Sequence, residues 1–404
     1  MRPIQLTEGV SWVGVIDWNC RNFHGYSQSP LGTTYNAFLV EDEKTVLLDT
    51  VEPKFKDQFF CGLKQALKGR QLDYVVVNHL EPDHAGCLED IVKEFKPEKI
   101  ICSPMGIKAM RTFFDIEGWP VIETVKSGEE LCIGKRHIQF IETRMLHWPD
   151  NMITYIPEEK MAFCSDAFGQ NIASSERYAD EIDRAQLKKL MAEYYANIVL
   201  PYSKMVKKIV PSIMQLGIEI ETLCPDHGLI FRGEEDVRFA LESYLEFAEQ
   251  KPAKKAVIAY DTMWQSTEKM AIAIADGLMS EGISVKVMNV KANHHSTIMS
   301  EVFDSAAVVL GSPTHNNGIL PGMANLLTYM KGLRPEYKIG ASFGSFGWSG
   351  ECVNILSKAI GEMHMEEVTE AVKVKNRPTH DTFQDCFDLG VKVGKEIKKK
   401  WGFE

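Results

Sequence analysis

The sequence predicts an α/β protein of two units, a mixed half with much antiparallel pairing followed by a doubly wound parallel sheet. Three observations carry this. The chain has 404 residues, enough for two or three compact units and too long for one small module. Residues 9 to about 170 read as short β-rich runs separated by turns, whereas strand and helix alternate regularly after 255. Between the two rhythms stands Lys251-Pro252-Ala253-Lys254-Lys255, a charged segment with a proline, which divides the chain into 1–250 and 251–404.

In the first unit, runs at 12–18, 35–40, 45–50, 74–80, 99–103, 137–143 and 161–166 have the composition of strands. Glu41-Asp42-Glu43-Lys44 and Pro157-Glu158-Glu159-Lys160 are polar connectors of hairpin length. Helical periodicity marks 54–67, 86–95 and 105–113, and a more helical stretch covers roughly 180–216 and 234–249. The second unit reads strand 256–260, helix 267–281, strand 284–290, helix 296–303, strand 306–311, helix 322–331, strand 339–343 and helix 351–362.

Composition narrows the function. A chain with 45% hydrophobic and 25% charged residues can bury a sizeable core. Its formal charge of −11 disfavours binding to a phosphate backbone, so no nucleic acid partner is expected. The longest uncharged run, 305–330, is broken by Pro313, Asn316, Asn317, Gly318, Pro321 and Gly322; it reads as strand, loop and helix, and no membrane partner is expected. The first eight residues lack the apolar stretch of a signal peptide, which makes a cytoplasmic location the expectation. Nine cysteines stand singly with no C-x-x-C, so an iron–sulfur knuckle or zinc ribbon is not encoded, and the thiols read as free and mostly buried. His294-His295 reads as a surface pair, and Lys398-Lys399-Lys400 as a solvated helix end.

The run Tyr74-Val75-Val76-Val77 leads into Asn78-His79-Leu80-Glu81-Pro82-Asp83-His84-Ala85-Gly86, an H-x-E-x-D-H string. Alternation on a strand would put His79, Glu81 and Asp83 on one face, and a turn at Pro82 and Gly86 would bring His84 beside them. The alternative is a polar strand end facing water. Three distant residues at strand or loop ends add to the donors: His147 after Met145-Leu146, Asp166 after Met161-Ala162-Phe163-Cys164-Ser165, and His227 in Cys224-Pro225-Asp226-His227-Gly228. Each alone would read as a satisfied loop or core residue. A ferritin-like bundle is rejected, because Glu81-x-x-His84 is the only E-x-x-H spacing in the sequence and it follows a strand.

A second constellation belongs to the parallel sheet. Asp261-Thr262-Met263-Trp264-Gln265-Ser266-Thr267 precedes a helix, and its amides and hydroxyls can satisfy a phosphate without a lysine; simple helix capping is the alternative. No G-x-G-x-x-G and no Walker lysine occurs there, which argues against NAD and ATP. Ser312-Pro313-Thr314-His315-Asn316-Asn317-Gly318 and Ser345-Phe346-Gly347-Trp348-Ser349-Gly350 also follow strands, where such sheets bind ligands. Amides and asparagines can read a flavin ring edge, and Trp264 or Trp348 can stack on its face or pack in the core. Together the three loops resemble the FMN site of flavodoxins.

The metal string in turn resembles the H-x-H-x-D-H of the metallo-β-lactamase fold, with Glu81 where a histidine usually stands. A hard carboxylate in each mixed sphere suits iron better than zinc. A metallo-β-lactamase-like αββα domain joined to a flavodoxin-like domain is the architecture of the flavodiiron proteins (A-type flavoproteins). The resemblance extends to Ile16-Asp17-Trp18-Asn19, Phe23-His24-Gly25-Tyr26, Gly32-Thr33-Thr34-Tyr35-Asn36, Leu146-His147-Trp148-Pro149-Asp150 and Tyr194-Tyr195-Ala196-Asn197-Ile198. It implies that His79, Glu81 and His147 bind one iron, Asp83, His84 and His227 the other, and Asp166 and a hydroxide or oxide bridge them. It implies four-electron reduction of dioxygen to water fed by FMN, nitric oxide reduction to nitrous oxide as a second activity, and electrons from reduced rubredoxin or a similar carrier. It also implies a head-to-tail homodimer. His24 and Tyr26 are candidates for lining the substrate pocket or relaying protons, with packing or surface placement the alternative. Two rival functions are a dizinc hydrolase with an accessory flavodoxin domain, against which Glu81 argues, and a non-catalytic flavin electron carrier, against which the full ligand set argues.

Overall fold

The computed structural model describes residues 2–404. Two compact units emerge: one of residues 2–23, Ser29–Tyr195 and Tyr202–Ala248, and one of Glu249–Glu404 with the short segments His24–Gln28 and Ala196–Pro201.

The first unit holds two sheets. Seven strands run in the order Ile4–Thr7, Val10–Trp12, Phe38–Glu41, Thr45–Leu48, Tyr74–Val77, Lys99–Cys102 and Val121–Thr124. Six more run in the order Glu130–Cys132, His137–Glu142, Met152–Ile156, Met161–Phe163, Thr222–Cys224 and Phe231–Arg232. Val46, Leu48, Val76 and Ile101 of the first sheet share one core with Phe140, Met152, Ile156 and Phe163 of the second. Their chain neighbours Leu47, Val75 and Ile100 are also buried but face away, as the period of two requires. With both faces buried, the strands read as near-continuous apolar runs. Both polar connectors expected at 41–44 and 157–160 join antiparallel neighbours. The short strands Ile4–Thr7, Val121–Thr124 and Glu130–Cys132 were not anticipated; their half-exposed, mixed-polarity residues carry little hydrophobic signal.

The second unit is a parallel sheet in the order Ser284–Asn289, Lys255–Tyr260, Ala307–Gly311, Ile339–Phe346 and Glu366–Glu367, with Val372–Lys375 also paired to Ile339–Phe346. Strand order reverses at Lys255–Tyr260, with successive strands added first on one side and then on the other, which places a crevice at the strand carboxyl ends. His294 and His295 are half-buried rather than a surface pair: His294 caps the helix His295–Phe303 through Ser296, and His295 Nε2 donates to the Tyr26 carbonyl at 2.7 Å. The three lysines at the end of His380–Trp401 are ion-paired with Glu281, Glu396 and Glu366. All nine cysteines are free, and only Cys61 and Cys132 are exposed. Among the described residues no helix is long and apolar enough to cross a membrane.

One buried cation gives this unit a pH dependence. Lys338 is 3% exposed and donates to the Phe303 carbonyl at 2.9 Å. Burial pushes its pKa down to about 7, with Asp304 opposing and Lys255 assisting. The unfolded chain, with a lysine near 10.4, binds more protons between these values, so this contribution to stability grows as pH rises and is lost as pH falls toward 7. Relative to Lys338→Met, the native chain is expected to gain about 2 kcal/mol between pH 7.5 and 9.5. Urea unfolding of both at the two pH values checks this, and parallel shifts would contradict it.

Candidate functional site

The strand Tyr74–Val77 stops two residues short of His79, and Pro82 opens a single helical turn, Pro82–Ala85, at the position where a missing N–H costs nothing. The Glu81 carbonyl accepts from the N–H groups of His84 and Ala85, both at 2.9 Å. The sequence reading put His79, Glu81 and Asp83 on one strand face. The structure corrects it: the proline starts a helical turn, and the four side chains converge from a strand end and that turn. Gly86 permits a close approach, since a Cβ there would meet the Pro82 carbonyl at 2.2 Å and Pro53 at 2.5 Å. Met161–Phe163 and Thr222–Cys224 run parallel, so the loops bearing Asp166 and His227 leave from the same end. His147 lies between His137–Glu142 and Met152–Ile156.

These seven residues meet around one carboxylate. Asp166 Oδ2 lies 2.9 Å from His147 Nε2 and 3.5 Å from His79 Nε2. Glu81 Oε2 completes that side at 3.1 Å from His79 Nε2 and 3.7 Å from His147 Nε2. Asp166 Oδ1 lies 3.0 Å from His84 Nε2 and 3.2 Å from His227 Nε2. Asp83 completes this second side, 3.4 Å from His84 and 3.3 Å from His227. Donors bound at 2.0–2.2 Å to one ion are separated by about 3.0 Å in an octahedron and about 3.4 Å in a tetrahedron. The observed spacings match, so the residues fit two metal ions sharing Asp166.

The opposite ring nitrogens show the same design. His79 Nδ1 faces Asp150 Oδ2 at 3.0 Å and His227 Nδ1 faces the Thr34 carbonyl at 2.7 Å, while His84 Nδ1 lies 3.4 Å from Asp226 Oδ2 without a hydrogen bond. Acceptors there place the proton on Nδ1 and turn the Nε2 lone pair inward. The surrounding carboxylates also favour positive charge here. Burial alone would lower the His84 pKa, but Asp83, Asp166 and Asp226 outweigh it and hold it at about 9. Burial likewise opposes the charged form of His79 and His227, yet their carboxylate partners hold both well above the ordinary range. Asp166 stays well below the carboxylate range despite burial, through His84, His147 and His227. The cage therefore stabilises positive charge.

Residues the sequence reading did not assign complete the walls. Tyr194 donates its hydroxyl to Asp166 Oδ1 at 3.0 Å, and burial with the nearby Asp166 keeps that phenol protonated. Phe23 meets His227 edge-on at 5.0 Å, and Trp148 meets His79 at 5.0 Å. Asp150, Tyr194 and Asp226 sit in or beside motifs quoted above, but nothing in their spacing reveals which ligand each supports. His24 and Tyr26 lie in the segment His24–Gln28, which clusters with the second unit; their rings are 6.3 Å apart, and Tyr26 packs against Tyr329.

In the second unit, the three predicted loops line a cleft of about 300 Å³. Gln265, Thr267, Ser312 and Gly350 are off its lining: Gln265 precedes the helix Ser266–Ser280 in left-handed conformation, Thr267 is buried against Ser345, Ser312 accepts from Leu320 N–H, and Gly350 caps Glu351–Glu362. The other predicted residues line it, and Asn376 joins them. Asn316 and Asn317, both at positive φ, make a two-residue turn closed by paired bonds between His315 and Gly318. Trp264 and Trp348 are 87% and 89% exposed, which removes the core-packing alternative and leaves their faces available for stacking. Thr262 Oγ1 is buried without a partner at the end where the helix Ser266–Ser280 begins, as a hydroxyl awaiting a phosphate would be.

Comparison with known proteins agrees with both halves. The family model described as ODP family beta lactamase matches residues 33–228, and that described as Flavodoxin matches 258–390. The chain is 50% identical over 400 residues to the rubredoxin-oxygen oxidoreductase of Megalodesulfovibrio gigas, covering 99% of each chain. It is 41% identical to the nitric oxide reductase of Moorella thermoacetica, covering 98% of this chain and 99% of the other. Among solved structures, the rubredoxin oxygen:oxidoreductase from Desulfovibrio gigas superposes with a TM-score of 0.97 at 49% identity over 99% of each chain. The flavodiiron protein from Giardia intestinalis gives 0.94 at 30% identity, over 100% of this chain and 98% of that one.

Asp150 touches the His79 side of the cage and not the His84 side. Asp150→Asn is therefore expected to weaken one of two bound metal ions by about 10–100-fold and to leave the other in place. Chelator competition with metal quantification checks this; loss of both ions together, or of neither, would contradict it.

Proposed function

The chain belongs to the flavodiiron protein family, and from that membership we infer that it reduces dioxygen to water by four electrons at a non-haem diiron site fed by FMN. Reduced rubredoxin or a similar carrier is the donor, and nitric oxide, reduced to nitrous oxide, is the second substrate. The observation that carries this reading is the shared carboxylate: Asp166 offers one oxygen to each of two donor sets.

We assign His79, Glu81 and His147 to one iron, Asp83, His84 and His227 to the other, and Asp166 to both. When bound, two ferrous ions and a reduced FMN together supply the four electrons that take dioxygen to water without releasing peroxide. The protein's part is to hold and to exclude. Asp150 and the Thr34 carbonyl orient the imidazoles of His79 and His227, so these donors need little rearrangement. Phe23, Tyr35 and Trp148 surround His227 and His79 with ring surface that keeps water from the donors. The Tyr194 hydroxyl, kept protonated, holds Asp166 Oδ1 and places an O–H at the shared carboxylate. His24 and Tyr26 are assigned to the substrate pocket or to proton relay.

The cleft of the second unit takes FMN, with the Thr262 hydroxyl, the Ser266 backbone N–H and the amides beside them on its phosphate and Trp264 or Trp348 on its ring. Domain limits of 1–250 and 251–404 belong to the same proposal, as does a head-to-tail homodimer; two large aromatic faces in the open favour a covering partner. Nine free cysteines favour a reducing compartment, the cytoplasm.

Anaerobic purification with iron and FMN quantified, followed by oxygen and nitric oxide consumption with reduced rubredoxin, is the test. Two irons and one FMN per chain are expected, with four reducing equivalents consumed per dioxygen. Zinc with hydrolytic turnover, or flavin without stoichiometric iron, would overturn the reading. Glu81→His is expected to lower both iron retention and oxygen turnover, because it replaces a hard anionic donor by a neutral nitrogen; unchanged activity would refute the role given to Glu81.

A further inference from the structure

The flavin cleft has a fourth contributor beyond its three strand-end loops. Val372–Lys375 adds to the edge of the parallel sheet, and Asn376 follows it directly. Asn376 lines the cleft. Its backbone is held at φ +65°, a left-handed conformation that asparagine tolerates and most residues do not. Two bonds fix it there: its N–H donates to the Phe346 carbonyl at 2.7 Å, and its carbonyl accepts from Ser266 Oγ at 3.0 Å. Asn376 is thereby tied to the first residue of the helix Ser266–Ser280, the end at which Thr262 Oγ1 is buried and unpartnered. Lys291 also reaches this loop, but its ammonium is taken up by Asp261 Oδ1 at 3.2 Å and by the Thr262 carbonyl. An uncharged amide is left at the rim.

We propose that Asn376 is a specificity-determining residue for the cofactor, its side-chain amide donating to the terminal phosphate so that the cleft selects a phosphorylated flavin over riboflavin. This rests on the reading that the cleft binds FMN. A hydrogen bond to a charged acceptor is among the stronger kinds, whereas an unphosphorylated flavin would leave the amide to water at little cost.

Two substitutions separate the side chain from the backbone. Asn376→Gly keeps the left-handed conformation and both main-chain bonds while removing the amide. Asn376→Asp keeps the shape and turns a donor into an anion. Full-length chain stripped of flavin is titrated with FMN and with riboflavin, and binding is read by quenching of flavin fluorescence. Asn376→Gly is expected to weaken FMN about tenfold and to leave riboflavin within about twofold. Asn376→Asp is expected to weaken FMN further, with the extra loss shrinking as salt is raised. Parallel losses for both flavins, or no loss for either, overturn the proposal while native FMN binding keeps the reading beneath it intact. A native chain that takes up no FMN overturns both.

Discussion

One buried carboxylate organises the first unit. Asp166 lies within 3.5 Å of four imidazoles, one pair against each of its oxygens. An anion so deeply buried is costly unless positive charge or strong donors surround it, and four histidines cannot all face inward unless something anionic stands at the centre. The two demands answer each other. Each set is finished by one further carboxylate, Glu81 or Asp83, and two of the four rings are steadied from behind by a hydrogen-bonded oxygen. The arrangement is a shell of three carboxylates and four imidazoles around two positions for cations.

The fold brings these groups together because strand ends do. The loop after Met161–Phe163 carries Asp166, and the loop after the parallel Thr222–Cys224 carries His227. The residues beyond Tyr74–Val77 belong to the opposing sheet, which shares its core with the first pair. Ordered strand ends give the donors fixed origins, while irregular backbone lets them turn inward. Asn78 ties one sheet to the other: Asp49 accepts from its N–H and its side chain, both at 2.7 Å, and its Oδ1 accepts from Thr154 on Met152–Ile156 at 2.6 Å. A buried polar network of this kind, directly behind His79, fixes the register of the segment that carries the donors rather than merely filling space.

How much of this was legible in the sequence depends on whether the information is local. The H-x-E-x-D-H string and the three hydroxyl- and glycine-rich loops are local, so their residue types announce their chemistry before any contact is known. Their geometry is less local. Strand alternation seemed to align His79, Glu81 and Asp83, yet Pro82 at the first position of a helical turn overrides it, because a proline there is favoured and a proline in a buried strand is not. Asp150 and Tyr194 were in view as letters and invisible as partners, since their roles depend on facing residues 71 and 28 positions away. Asn376 fell outside every motif. Its strand of alternating Val and Lys is short and half-exposed, and its link to Ser266 spans 110 positions.

The two sites then differ in the way their tasks require. Holding two cations asks for many anionic and imidazole donors at short range, and dense charge survives only where the surrounding protein fixes every partner; hence full burial and a second rank of acceptors. A flavin is large, flat and mostly apolar, and asks for an accessible slot with stacking surface and a few directed donors. The cleft supplies that with the Asn316-Asn317 turn, the exposed Trp264 and Trp348, and hydroxyls at a helix start. Lys291 is paired with Asp261, and among the described residues no lysine or arginine lines the cleft, so its polar lining is of neutral donors. Neutral donors discriminate by geometry more than by charge, and a misplaced amide at such a rim costs selectivity before it costs binding.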